Sequence, residues 1–569
     1  MRTTRALRLA AAAAIALLLA GCSGLPTSGP PNAGLTLGEE DEGPVFIQTA
    51  LDPQPGDSPE NIVKGFLEAS MTPTGNWEIA QKFLTDDFRQ VWKPDATVTI
   101  DTSIDDRAFS SSVPEDDETA TSAQVQAEFA QVASVDAAGT YSADASPAKA
   151  TYQLERDARG EWRISKAKDG IVLDAPTFLR VYQKYSLKYF DASWTHLVPD
   201  VRWFPRRPAM ATTIARALVT GQPAEWLAPA VHNAFSTDMS LAGDAVTVDA
   251  SQVASVALSR GALTASPTDL ARMRTQLEAS LSGAGVSEVR LTVDGAELDA
   301  GLVSVDDSIT DAGVLVQTDD GFGRTVAGDT VEPVGALSAQ LAKTVDPIGA
   351  VDVSLDASLA AMQLRDGHVF AVTAGNIALL DDRADLIEPS LDPFGFVWTV
   401  PRSLPGALEY SNAQLDRKAV IAKAWQVADS ISQLRVSADG ARVAAVVTSG
   451  GQRRVMVAAV MRGKDDEPTA LGEPQEIGRL AGPAQGLAWI GTDSLAVLTS
   501  APDPVLTTFV VGGPSSSTPA PDGADALAGA KTTTGLRVLG SDGALYAQRG
   551  SSWQVSMEHV LVLGRRAGY

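Results

Sequence analysis

The last part of the chain restricts its fold most. From about residue 320 to residue 569, helical periodicity nearly vanishes and short β-rich runs alternate with tight polar turns. Asp-Gly pairs mark three of the turns, Asp366-Gly367, Asp439-Gly440 and Asp542-Gly543, and Asp493-Ser494 stands in an equivalent place. Glycine takes positive φ without steric cost and aspartate bonds the backbone two residues on, so the pair favours a reversal. The clearest unit is "ISQLRVSADGARVAAVVTSGGQRRVMVAAVM", in which one strand rises to Asp439-Gly440, a second follows, and a third begins after Gly450-Gly451. "GLAWIGTDSLAVLTS" and "GLRVLGSDGALYAQRG" repeat the pattern, and the last three turn centres lie about 50 residues apart. A period of about 40–50 residues with several strands per repeat signals propeller blades, and roughly 245 residues accommodate five or six. "LDPFGFVWTVPR" (Leu391 to Arg402) reads as another blade strand, with Trp398 between blades. A β-sandwich with regular hairpins is the competing arrangement.

The other end carries a different constraint. Arg2, Arg5 and Arg8 precede an apolar run from Leu9 to Ala20, the make-up of a secretory signal peptide. The run is shorter than the roughly 20 residues a membrane-spanning helix needs. It ends at Cys22, the only cysteine among 569 residues. Leu19-Ala20-Gly21-Cys22 resembles a bacterial lipobox. That resemblance implies alkylation of the Cys22 thiol by a diacylglyceryl group and cleavage before Cys22, with Leu19, Ala20 and Gly21 read by the signal peptidase. A thiolate is the nucleophile that chemistry needs. The expected organisation begins with a signal peptide at 1–21 and a lipidated, flexible tether at 22–58, rich in Pro, Gly and Ser, with the acidic run "GEEDEG" as a solvated spacer. Two acyl chains are enough for stable anchoring.

Charge narrows the partners. The chain has 45 Lys+Arg against 70 Asp+Glu, a net charge of −25. That excludes nucleic acid as the expected partner, because phosphate binding needs clustered positive charge. It also leaves membrane attachment to the lipid rather than to anionic headgroups.

Residues 59–190 read as an α+β domain. "SPENIVKGFLEASM" has Ser58 as N-cap and Pro59 in the first turn, and "NWEIAQKFLTDDFRQVW" reads as a second helix. "ATVTID", "QVQAEFAQVASVD", "GTYSADA", "AKATYQLERD" and "EWRISKAKDGIVL" read as strands. Helices before a run of antiparallel strands are similar to the nuclear-transport-factor-2-like (NTF2-like) domains.

The stretch 178–208, "FLRVYQKYSLKYFDASWTHLVPDVRWFPRRP", holds eight aromatics and six Lys/Arg against two Asp. Tyr182, Tyr185 and Tyr189 are three and four apart, which predicts one helical face. With Trp194, Arg202, Trp203, Arg206 and Arg207 they form the candidate surface. It is either an intramolecular seam between domains or a contact surface for a protein partner or cell-wall glycan.

Residues 191–310 read as β-α-β-β-α-β, a split βαβ order. "LVPDVRWF" is a strand and "PAMATTIARALVTG" a helix ending at Gly221. "NAFSTDMSLAGDAVTVDASQ" reads as two strands around Ala242-Gly243-Asp244. "SPTDLARMRTQLEASLSGAG" is a helix capped by Ser266 and closed by Gly283, and "VSEVRLTVDG" the last strand. "AMATTIARALVTGQPAEWLAPAV", "DAVTVDAS" and "MRTQLEASLSGAGVSEVRLTVDG" resemble, in order, the first helix, central strand and closing elements of the GerMN domain. That resemblance implies a binding or assembly module without catalytic residues.

Catalytic motifs are largely missing. One cysteine excludes paired-cysteine metal sites, and His196, His232, His368 and His559 lie far apart with no H-E-x-x-H. No G-x-S-x-G or Walker A motif occurs. The expectation is a non-enzyme with no cofactor and no metal. The order lipobox, tether, α+β domain, GerMN-like domain and propeller resembles the actinobacterial LpqB lipoprotein family over essentially the whole chain. The resemblance implies a lipid-anchored accessory protein on the extracytoplasmic face of the cell membrane. It would bind the extracellular domain of an MtrB-like sensor histidine kinase and modulate two-component signalling in cell-wall homeostasis and division. Two alternatives stay open: a peptidoglycan-binding envelope lipoprotein, and a hydrolase with its site in the propeller channel, which a pair of carboxylates there would favour.

Overall fold

Ser58 starts the first helix. Its hydroxyl accepts the Asn61 N–H at 3.3 Å, Pro59 sits at the first helical position, and the helix runs Pro59–Ala69. Its Ile62, Val63, Phe66 and Leu67 are buried against the first sheet. The structure, a computed structural model, describes residues 50–569 apart from 115–116, 118, 208, 307–312, 327–329, 501–502 and 551. Leu19, Ala20, Gly21 and Cys22 therefore lie outside the described residues.

The single helix expected over 76–92 is instead two pieces, Glu78–Gln81 and Asp86–Val91. Between them the Phe83 carbonyl and Thr85 N–H bond to Ile164, each at 2.9 Å. The Thr85 hydroxyl then caps the second piece, so strand pairing and capping together interrupt the helix. The sheet beneath has the order Trp162–Lys166, Ser146–Arg156, Ser122–Asp136, Thr97–Asp101, Ile171–Asp174. Thr97–Asp101 pairs antiparallel with the long strand and parallel with Ile171–Asp174.

The helix expected to carry Tyr182, Tyr185 and Tyr189 is a β-strand, Tyr182–Asp191, paired antiparallel with Leu197–Pro205. Tyrosines and β-branched neighbours favour strands, and the helical turn ends earlier, at Ala175–Val181. Side chains alternate across a strand, so the three tyrosines do not share a face. Tyr182 belongs to the core of the N-terminal sheet, with Val201 and Trp203. Tyr185 and Tyr189 belong to the next core, with Leu187, Val198 and Phe204.

That second core is the middle unit. The Met210–Val219 helix packs against the hairpin through Ile214 and Leu218. Val253–Ala257 and Glu288–Val293 are parallel neighbours, linked by the helix Pro267–Leu281, whose Ser266 hydroxyl accepts the Asp269 N–H. The expected β-α-β-β-α-β order is divided between two sheets. One is Val231–His232 with the hairpin, the other Thr247–Val248, Val253–Ala257, Glu288–Val293 and Ala296–Glu297. The expected hairpin around Ala242-Gly243-Asp244 does not form. The reversal falls at Asp249–Gln252, where the Asp249 carboxylate takes the Ser251 and Val253 N–H groups. The αL residue after the Pro267–Leu281 helix and its short 3₁₀ extension is Gly285, not Gly283.

The C-terminal part is a β-propeller. Its last strand, Val562–Arg566, pairs antiparallel with Leu315–Thr318, the first, and touches Ile348–Val353 through two parallel pairs. The eight-stranded sheet there thus splits into two four-strand groups, and four further sheets follow in sequence. Apolar clusters fill the space between each neighbouring pair, and the cluster joining Leu539 and Leu545 to Val316 and Leu563 closes the ring. Trp398 is 1% exposed in one of these clusters. The four turns are not equivalent. Asp439-Gly440 and Asp493-Ser494 join first to second strands of their sheets, whereas Asp366-Gly367 and Asp542-Gly543 join second to third.

Candidate interaction seam around residues 178–208

The Tyr182–Pro205 hairpin is where all three parts meet. On one face Trp203, 6% exposed, packs its ring 5.0 Å from that of Phe178 in the N-terminal core. The same indole donates its Nε1–H to the Gly512 carbonyl of the propeller at 2.9 Å. Lys184, opposite Trp203 in the hairpin register, pairs with Asp493 of the propeller at 2.9 Å. Lys188, on the same face, is pushed down to about 8 by burial, with Asp493 opposing the shift. Burial works against the Asp493 charge, but Lys184 outweighs it and holds the carboxyl below its usual range.

The other face carries Arg202, 4% exposed. Its guanidinium bonds Asp200 at 2.6 Å, Thr140 Oγ1 at 2.8 Å and the Gln222 carbonyl at 3.2 Å. It thus ties a loop of the N-terminal sheet to the middle unit, and its charge is tolerated inside because it is paired and bonded. Arg206 donates to the Arg180 carbonyl and to Gln183 Oε1, both at 3.1 Å. Arg207 pairs with Asp95 at 3.1 Å and lies 4.3 Å from the Trp77 ring centroid. Trp194 is separate from this group. It sits in the left-handed region (φ 64°) at the hairpin turn, stacked 5.0 Å from His232 with Arg272 at 4.0 Å on its ring.

The hairpin turn also faces the propeller. His196 is 8% exposed, accepts or donates at Thr195 Oγ1 (2.9 Å), lies 3.7 Å from Asp191 and meets Phe394 edge-on. Burial lowers its pKa, but Asp191, Asp439 and Asp306 outweigh burial, so the imidazole is held above its ordinary value.

The propeller interior holds a second charged group that its scattered sequence positions concealed. Glu388 accepts from Arg435 at 3.0 Å and from Arg565 at 2.6 Å. Arg435 also bonds the Leu434 and Pro389 carbonyls, and Arg565 the Leu527 carbonyl. Burial disfavours the Glu388 charge, yet Arg565 and Arg435 hold its pKa below the usual range. Burial pushes nearby Asp352 up to about 6, against the pull of Arg435. Opposed shifts on two carboxyls are what an acid–base couple shows. Here, however, Asp352 is 2% exposed and bonds the Leu391 N–H, and Glu388 is committed to two guanidinium groups. The arrangement is a staple across the ring. Among the described residues no three His, Cys, Asp or Glu side chains group as a metal site.

Comparison with known proteins covers the same three parts. Residues 52–179 match the family described as lipoprotein LpqB, N-terminal domain. Residues 186–299 match sporulation and spore germination (Germane), and 313–561 the lipoprotein LpqB beta-propeller domain. The chain is 27% identical to lipoprotein LpqB of Thermobifida fusca, over 86% of this chain and 87% of that one. It is 28% identical to lipoprotein LpqB of Rhodococcus opacus, over 88% and 87%. Among solved structures, a chain of the nidogen/laminin complex is similar over 44% of this chain and 96% of its own, at 8% identity and a TM-score of 0.33, too low to bear on function. With the family's N-terminal and propeller domains flanking a Germane domain, in order and along most of its length, the chain belongs to the LpqB family of cell-envelope lipoproteins.

Proposed function

We propose that the chain is an accessory protein anchored by a diacylglyceryl group on Cys22 at the extracytoplasmic face of the cell membrane. It binds the extracellular domain of an MtrB-like sensor histidine kinase and modulates two-component signalling in cell-wall homeostasis and division. The observation that carries the reading is the shared hairpin. One strand pair contributes to the N-terminal core on one face and the middle core on the other, and bonds the propeller besides. A chain built this way presents its outer surfaces in fixed relation, as a docking scaffold requires. We read the six strand groups, five of four strands and one of five, as six blades, the N-terminal sheet as NTF2-like and the middle unit as GerMN-like. No helix among the described residues is long and apolar enough to cross a membrane, so attachment in this reading rests on Cys22.

The test is Cys22→Ala in cells fed a labelled diacylglycerol precursor. The label should vanish from the protein, the protein should leave the membrane fraction, and kinase output should match that of a deletion strain. Full labelling of the variant, or normal kinase output from a released protein, would contradict the reading.

A further inference from the structure

A cleft of about 280 Å³ opens where the N-terminal sheet meets the hairpin and the Met210–Val219 helix. Tyr182 and Trp203 line it, 3% and 6% exposed, while Asp95, Asp136, Arg207 and Arg216 stand toward its outside. The Tyr182 hydroxyl makes no hydrogen bond among the described residues, although the residue is almost wholly buried. A hydroxyl both donates and accepts, and this one is not sealed in the core but stays open on the cleft, where a guest can reach it. Asp136 spends Oδ1 on the Ala138 and Thr140 N–H groups, which leaves Oδ2 for a guest.

The lining selects among ligand classes. Two carboxylates and two guanidinium groups balance, so neither an anion nor a cation meets a surplus of opposite charge. The volume falls just below the ~300–1,000 Å³ of sites for drug-sized ligands, which suits one ring. Aromatic edges beside hydroxyl, carboxylate and guanidinium partners match a ring with C–H faces and a rim of hydroxyls. We propose that this cleft binds one pyranose ring of a neutral saccharide, with its hydroxyls bonded to Tyr182 and Asp136 and a C–H face toward Trp203. The ring comes either as a free sugar or as part of an envelope glycan; the chemistry at the cleft is the same.

The experiment is saturation-transfer NMR and calorimetry on the full chain in detergent micelles. The probes are N-acetylglucosamine, glucose, a soluble N-acetylated glycan fragment and, as a zwitterionic control, an alanine dipeptide. Saturable binding of a sugar is expected. Tyr182→Phe removes only the hydroxyl and should weaken binding about five- to tenfold, the effect of one hydrogen bond, with the melting temperature unchanged. Asp136→Asn should weaken it similarly. Tighter binding of the fragment than of either monosaccharide would identify a glycan source, and the reverse a free sugar. No saturable binding of any saccharide, binding of the dipeptide instead, or sugar binding indifferent to both substitutions would overturn the proposal.

Discussion

Replacing Trp203 by alanine tests the seam at its most connected residue. The indole is 6% exposed, lies 5.0 Å from Phe178 and 6.4 Å from Tyr141 by ring centroids, and donates to Gly512. Truncating a buried tryptophan to alanine costs about 3–5 kcal/mol. The lost hydrogen bond adds about 1 kcal/mol. A total of about 4–6 kcal/mol corresponds to a fall in melting temperature of roughly 10 °C or more for a unit of this size. Trp203→Phe keeps a ring against Phe178 and removes the N–H, so it should cost about 1–2 kcal/mol. Scanning calorimetry reads both variants. Because the same side chain holds the propeller, the alanine variant should also show the propeller melting apart from the rest, and faster hydrogen exchange around Gly512. Adding Lys184→Ala should give less than the sum of the single effects, since both contacts secure the same docking. A loss under about 1 kcal/mol for Trp203→Ala, or unchanged exchange at Gly512, would refute the claim that this hairpin joins the three parts.

Glu388→Gln leaves Arg435 and Arg565, with side chains 1% and 2% exposed, facing each other without their shared anion. The Glu388 side chain is itself 33% exposed, so the loss should fall below the roughly 3–5 kcal/mol of a fully buried pair, at about 1–3 kcal/mol, and calorimetry should show a lower melting temperature. His196 has a raised folded pKa, so its contribution is complete below its unfolded value and is lost as pH rises through the folded one. The melting temperature should therefore decline as pH rises above the ordinary imidazole value of about 6.5, and His196→Gln should flatten that part of the curve. Charge reversal of Arg206 and Arg207 to glutamate breaks the Asp95 pair and the contacts to Arg180 and Gln183. The double variant should melt measurably lower; an unchanged melting temperature would return these residues to the free surface.

Local chemistry was the legible part of the fold. Ser58 and Ser266 followed by proline mark helix starts in any context, and both cap helices here. The tyrosine stretch misleads because a spacing of three and four fits a helix face, while the tyrosines themselves and Val198 and Val201 in the partner strand favour strands. Once it is a strand, parity alone sends Tyr182 to one core and Tyr185 and Tyr189 to another. The Asp-Gly turns show that tight reversals recur but not which pair of strands each joins, so they gave a period without a phase. Val253–Ala257 is not legible as a strand because alanine and serine in "VASVA" hide the alternation. The Glu388–Arg435–Arg565 staple and the cleft at Tyr182 draw on residues far apart in sequence, brought together only when the ring closes and the hairpin is shared.

The most direct test of the account is a calorimetric titration of the protein from residue 23 onward into the purified extracellular domain of its cognate sensor kinase, with isolated peptidoglycan as the parallel titrant. Saturable binding to the kinase domain is expected. Binding to peptidoglycan alone would contradict it and make the protein a wall-attached lipoprotein, with any effect on signalling indirect.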